Sequence, residues 1–214
     1  MVQLEIRLIF FFVVATFLYA FFSNLTSLYF LRKAETKRAT HLISNSLNVS
    51  LDEEETNLYY NNRQVPSIVR LGLNVFENSL HSKGTASIMV KRNLSVILVY
   101  LVIWLFMLLN RESSLDLLAL LSQTLLTTTI ITNFIKLVVL MFGFERSFQD
   151  CRNLFLTGIQ ETPEFYARIL QIFTYYESLK ASMGITLSSR IFDKYVNPTS
   201  TIKWEQIKHN LQIE

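Results

Sequence analysis

Three stretches of the chain carry no charged residue: 8–31, 93–110 and 117–135. About 20 apolar residues span a bilayer as a helix, and a run of about 18 with few charges is already a candidate. Each stretch is therefore predicted to cross a membrane. The first opens with Leu8–Phe22, LIFFFVVATFLYAFF, is interrupted by Ser23 and Asn24, and turns apolar again through Leu28–Leu31. No A-x-A-like pair of small residues follows it, so an uncleaved anchor is expected rather than a secretory signal. Only Arg111–Asp116 separates the second stretch from the third, which stays apolar to about residue 141. So short a connection predicts an antiparallel helical hairpin.

The polar segments also read as helical. The basic segment from Arg32 predicts a helix to about Leu47, and Ser50 with Glu53 three residues on is a capping-box pattern that opens a short acidic helix through Tyr60. Asn61, Asn62 and Pro66 break it. Val69, Leu71, Leu73 and Val75 alternate as a strand would, while Val69, Leu73, Phe76 and Leu80 fit a helix face equally well. Ser67, an available cap, tilts that choice toward helix. In the tail, Thr162-Pro163-Glu164 starts a helix with Pro at its first position, and Phe165, Ile169, Ile172, Phe173, Tyr176 and Leu179 recur at helical spacing up to Gly184. A short helix around Ser189–Tyr195 is expected to end at Asn197-Pro198. Ser200 or Thr199 would then cap a last helix carrying Ile202, Trp204, Ile207 and Leu211.

Composition sharpens this picture. The chain of 214 residues is 50% hydrophobic and 17% charged, against about 25% charged in soluble domains, and the deficit lies in the three apolar stretches. A freely soluble globular enzyme is excluded first. Residues 32–92 hold nine basic and six acidic groups and 145–214 hold eight of each, so the net charge of +3 makes no face-wide field for nucleic acid. Arg32, Lys33, Lys37 and Arg38 are the exception, four cations in seven residues directly after an apolar run. Cytoplasmic flanks of spanning helices carry such clusters, which also suit anionic lipid headgroups. Lys91 and Arg92 before the second span agree, and the turn Arg111–Asp116 is net −1. The topology expected is N-terminus outside, 32–92 inside, 111–116 outside and 145–214 inside. The single Cys151 cannot form an intrachain disulfide and, lacking a neighbouring His or basic pair, reads as a structural thiol.

The third span differs from the second, VILVYLVIWLFMLL, in carrying Ser122, Gln123, Thr124, Thr127, Thr128, Thr129, Thr132, Asn133 and Lys136. At 100° per residue, Ser122, Thr129, Asn133 and Lys136 fall on one polar stripe; Asp116, Gln123 and Thr127 form a second. Such groups cost free energy in hydrocarbon unless they face protein or water. Two readings follow. In one, the hydroxyls and amide bond to a neighbouring helix or to their own i−4 carbonyls while Lys136 snorkels to the interface. In the other, several copies line a water-filled path with the stripe, which requires a homo-oligomer.

Signals for catalysis, metals and cofactors are absent. His41, His81 and His209 are isolated, five glycines form no phosphate-cradling loop, and the acidic run Asp52–Glu55 lacks the spaced oxygens of a calcium loop. The aromatic positions Phe165, Phe173, Tyr175 and Tyr176 read as helix packing before base stacking, and Glu177–Lys180 reads as an exposed surface pair.

The tight pair of spans with its turn Asn110–Asp116, and the tail patterns Tyr175-Tyr176-Glu177-Ser178-Leu179-Lys180-Ala181 and Ile191-Phe192, carry a family resemblance. Over about residues 90–200 the chain resembles the small two-transmembrane effectors encoded beside retron reverse transcriptases in bacterial anti-phage defence. The added N-terminal span departs from that plan. The resemblance implies an effector of the inner membrane kept silent by a reverse transcriptase and its RNA–DNA hybrid. Release by a phage trigger would permeabilise the membrane in an abortive infection. The expected fold is mainly α, a multi-pass helical membrane protein: an anchor at 1–31, a cytoplasmic region at 32–92, a transmembrane hairpin at 93–142 and a cytoplasmic helical tail at 143–214. The alternative function is a membrane-anchored assembly or accessory subunit whose tail docks a cytoplasmic partner.

Overall fold

The computed structural model describes residues 2–51, 64–110, 115–116, 119 and 130–213, and no strand occurs among them. The Ser50–Glu53 capping box, the acidic helix to Tyr60, the Asp52–Glu55 run and most of the third predicted span, with Ser122, Gln123, Thr127 and Thr129, lie outside the described residues. The helices are α1 (Val2–Leu25), α2 (Arg32–Leu47), α3 (Ile68–Leu109), α4 (Ile130–Leu156), α5 (Pro163–Met183), α6 (Ser189–Ile191) and α7 (Asn197–Leu211). A π-helical turn at Thr26–Leu31 makes α1 and α2 continuous, and a second at Phe192–Val196 joins α6 to α7.

Helix α3 is the axis of the molecule. Ser67 caps it, its Oγ accepting from the Arg70 backbone N–H at 3.2 Å. From Leu71 to Phe76 every residue is buried, because α2, α4, α5 and α7 all pack around this end. A helix buried on all sides is apolar at both strand-like and helix-like spacings, which is why the alternation at Val69–Val75 looked ambiguous. The Phe76 ring packs against Phe148, Phe155 and Trp204 at centroid distances of 5.1, 6.0 and 5.2 Å. Leu42, Leu73, Leu137, Phe144 and Ile169 complete this core.

The predicted limits of α5 hold: Thr162 caps the helix through the Phe165 N–H, Pro163 opens it, and Gly184 closes it in the left-handed conformation at φ 62°. Phe165, Ile169, Ile172 and Tyr176 are its buried face. One boundary is corrected. Asn197-Pro198 begins α7 instead of ending a helix, since Pro in a first turn forfeits only an N–H that has no intrahelical acceptor. Neither Ser200 nor Thr199 caps α7; Ser200 is buried inside it, its Oγ donating to the Val196 carbonyl at 2.8 Å.

Two helices are long and apolar enough to cross a membrane, Phe10–Leu47 and Ile68–Leu109, with mean hydropathies of 1.6 and 2.1 over their most apolar windows. No residue of either window is buried. Helix α3 continues through residues 92–93 without a break, so its first half is a bundle core and its second half an apolar rod exposed over most of its surface.

Candidate functional site

The pairings between helices set their register. Lys83 Nζ lies 3.1 Å from Glu145 and Phe76 lies between Phe148 and Phe155, so α3 and α4 are antiparallel. Tyr176 OH meets Ser82 Oγ at 2.9 Å and Ile169 packs on Gly72, so α5 runs parallel to α3. Arg38 pairs with Glu177 and Glu35 with Lys180, so α2 runs antiparallel to α5. Ser188 N–H donates to Met89 Sδ at 3.4 Å and His81 meets Ser200, so the segment from α6 to α7 descends along α3.

Continued at about 1.5 Å per residue, these registers bring one set of side chains to one end of the bundle. Arg32 and Lys33 of α2, Lys91 and Arg92 of α3 and Lys136 of α4 fall near one level along the axis, with Arg190 of α6 lower on the bundle's side, between Met89 and His81. All are exposed except Lys136, which is half-buried. Beyond this collar the surface is mainly apolar, interrupted by exposed Asn24, Thr26, Ser95, Thr132 and Asn133. The exposed side chains include Phe30, Tyr29 and Leu28 on the N-terminal arm, Leu94, Val96, Leu98 and Val99 on α3, and Ile135 on α4. Both apolar arms thus leave the bundle at its cationic end.

The predicted sites map onto this end unevenly. Of the polar stripe, Asn133 is exposed and Lys136 half-buried on α4, while Ser122 and Thr129 lie outside the described residues. Of the basic cluster, Arg32, Lys33 and Lys37 are exposed. Arg38 instead turns inward to a carboxylate network, donating from Nε to Glu35 at 3.0 Å and pairing with Glu177. Lys180 closes the network at 3.1 Å from Glu35. Glu177 and Lys180 are thus corrected from an exposed surface pair to two residues that each pair across to α2, their side chains 14% and 12% exposed. Burial raises the Glu35 carboxyl, but Lys180 and Arg38 outweigh it and hold the group below the usual carboxylate range. Lys180 itself is lowered, by burial and then by Arg38.

Two further constellations were not visible in the sequence. His81 Nδ1 lies 2.7 Å from Ser200 Oγ and its Nε2 lies 3.6 Å from Glu77, an arrangement that superficially resembles a hydrolase triad. The Ser200 hydroxyl, however, is buried and donates to a helix carbonyl, so it accepts from His81 and ties α7 to α3. The second is a cleft of about 410 Å³ between α4 and α7, floored by Leu80, Phe148 and Ile207 and flanked by Arg152 and Lys203. Cys151 is buried and its thiol is pushed up by that burial, as a structural cysteine requires. Among the described residues, no three His, Cys, Asp or Glu side chains gather as metal ligands would.

No family model, curated protein or solved structure matches the chain.

Proposed function

We propose that the chain is a multi-pass effector of the bacterial inner membrane, with its N-terminus outside and its helical bundle in the cytoplasm, that breaches the membrane when released from inhibition. The observation that carries the membrane reading is the common exit of two exposed apolar arms through a ring of cations. Cations flank spanning helices on the cytoplasmic side, and exposed apolar surface on this scale calls for lipid or another chain. The effector reading is supported by α4. Thr132 and Asn133 are exposed just beyond the collar, where hydrocarbon itself offers them no hydrogen-bond partner. A second copy or a water path would satisfy them, and a homo-oligomer supplies both.

The antiviral role, the abortive outcome and inhibition by a reverse transcriptase with its RNA–DNA hybrid rest on the resemblance to retron effectors. The test is induced expression with a membrane-potential dye. Rapid depolarisation and growth arrest are expected, and Thr129→Leu with Asn133→Leu should reduce the depolarisation rate by about tenfold or more while leaving membrane insertion intact. Depolarisation unchanged in the double variant would remove the stripe from the mechanism. The second reading, an accessory subunit that docks a partner, is favoured by the cleft between α4 and α7. Normal growth and potential at high expression, without any co-expressed inhibitor, would decide for it.

A further inference from the structure

Resting on the membrane reading, we infer that the collar is a binding site for anionic phospholipid headgroups, formed by cations that three separate chain segments deliver to one level. The charge partners of the molecule divide accordingly. Arg38, Lys83, Arg146, Lys180 and Lys208 each hold a carboxylate. Among the described residues Arg32, Lys33, Lys91, Arg92 and Lys136 hold none. Arg152, Arg168, Arg190, Lys194 and Lys203 also lack one, but the registers scatter them along the sides of the bundle. No described acidic group offsets the collar. Glu35, the acid closest to it on α2, is committed to Arg38 and Lys180, and Asp193 lies below Arg190 on the descending segment.

The partner is specified by what adjoins the cations. A soluble polyanion would need the collar alone, whereas here each cationic segment passes directly into exposed apolar helix: Arg32 into Phe30 and Tyr29, Arg92 into Leu94 and Val96, Lys136 into Ile135. A phosphate headgroup with acyl chains matches that sequence of surfaces, headgroup on guanidinium or ammonium and tails on the apolar rods. Each such cation near an anionic surface contributes roughly a fivefold preference, so several together select anionic over zwitterionic lipid. Lys136 gains a role by this placement: on the antiparallel register it stands level with Arg92, below the hydrocarbon rather than within it.

The experiment uses the full chain in phosphatidylcholine vesicles containing either brominated phosphatidylglycerol or brominated phosphatidylcholine. A Val96→Trp reporter in a Trp104→Phe background places a lipid-facing indole about one turn beyond Arg92. The expected result is a relative binding constant favouring phosphatidylglycerol by about tenfold or more. Lys91→Gln, Arg92→Gln and Lys136→Gln together should bring it close to one. Arg152→Gln with Lys203→Gln, on the bundle's side, should leave it unchanged, and circular dichroism should show all forms equally helical. A ratio near one in the unsubstituted collar overturns the inference, as does an equal loss in the Arg152 and Lys203 control. Inorganic phosphate should compete no better than chloride at equal ionic strength; specific displacement would assign the collar to free phosphate and also overturn it. If neither brominated lipid quenches the reporter, the membrane reading itself falls.

Discussion

At the scale of single residues, the network of Glu35, Arg38, Glu177 and Lys180 joins the helix that continues from the N-terminal arm to the rest of the bundle. Glu35 is held below the usual carboxylate range, so its contribution is present above its unfolded pKa of about 4.3 and is lost as pH falls through the lower folded value. The melting temperature of the protein in micelles should therefore fall between about pH 5 and pH 3. Glu35→Gln should cost about 1–2 kcal/mol at pH 7, discounted for partial exposure, and should flatten that acid limb. An unchanged acid limb in the variant would assign the loss to other carboxylates, such as Glu145, which Gln149 and Lys83 hold low against its burial. Glu177–Lys180 was legible as an i,i+3 pair along the chain, whereas Arg38 read as one of four interfacial cations and its pairing with Glu35 went unread. That the two pairs face one another depends on the pairing of α2 with α5, and nothing local to either segment encodes it.

At the scale of elements, the helices were legible wherever periodicity and caps agreed. Thr162-Pro163 and Gly184 bound α5 as their chemistry dictates, and Ser67 resolves α3 in favour of helix. The break expected at Asn197-Pro198 failed because a proline is neutral in a first turn, and the π turn before it allows α7 to begin there. Close helix contacts escaped notice because a glycine's missing side chain has meaning only once its neighbour is known. At Gly143 of α4, a Cβ would lie 2.1 Å from Leu179 Cδ2 and 3.2 Å from its Cγ. Gly143→Ala must therefore displace Leu179 of α5 and is expected to destabilise the bundle by about 1–3 kcal/mol. Leu179→Ala in the same chain should recover part of that loss by clearing the space, a coupling that a double-mutant cycle in denaturant would measure. Strict additivity would mean that the two helices do not meet there.

At the scale of the whole molecule, the missing charges along the sequence become a direction in space. The apolar arms and the cations occupy one end, while the loop Gly158–Glu161 and the end of α7 at Asn210 and Leu211 lie toward the other, as the registers of α3 with α4 and α7 require. With the proposed topology, that far end is the part of the protein deepest in the cytoplasm. Cys151 is buried and its thiol disfavours the reactive thiolate, so the native chain provides a silent background for thiol labelling. Gln160→Cys and Asn210→Cys, both at exposed positions, should react with a membrane-impermeant maleimide only after cells are permeabilised. Ser113→Cys, in the short acidic turn between the predicted second and third spans, should react in intact cells. Labelling of all three from outside would invert the bundle. Labelling of none before permeabilisation would mean that the hairpin does not cross. The prediction depends on both the placement of charge along the sequence and the helix registers, because only together do they put Gln160 and Asn210, fifty residues apart, on the same side.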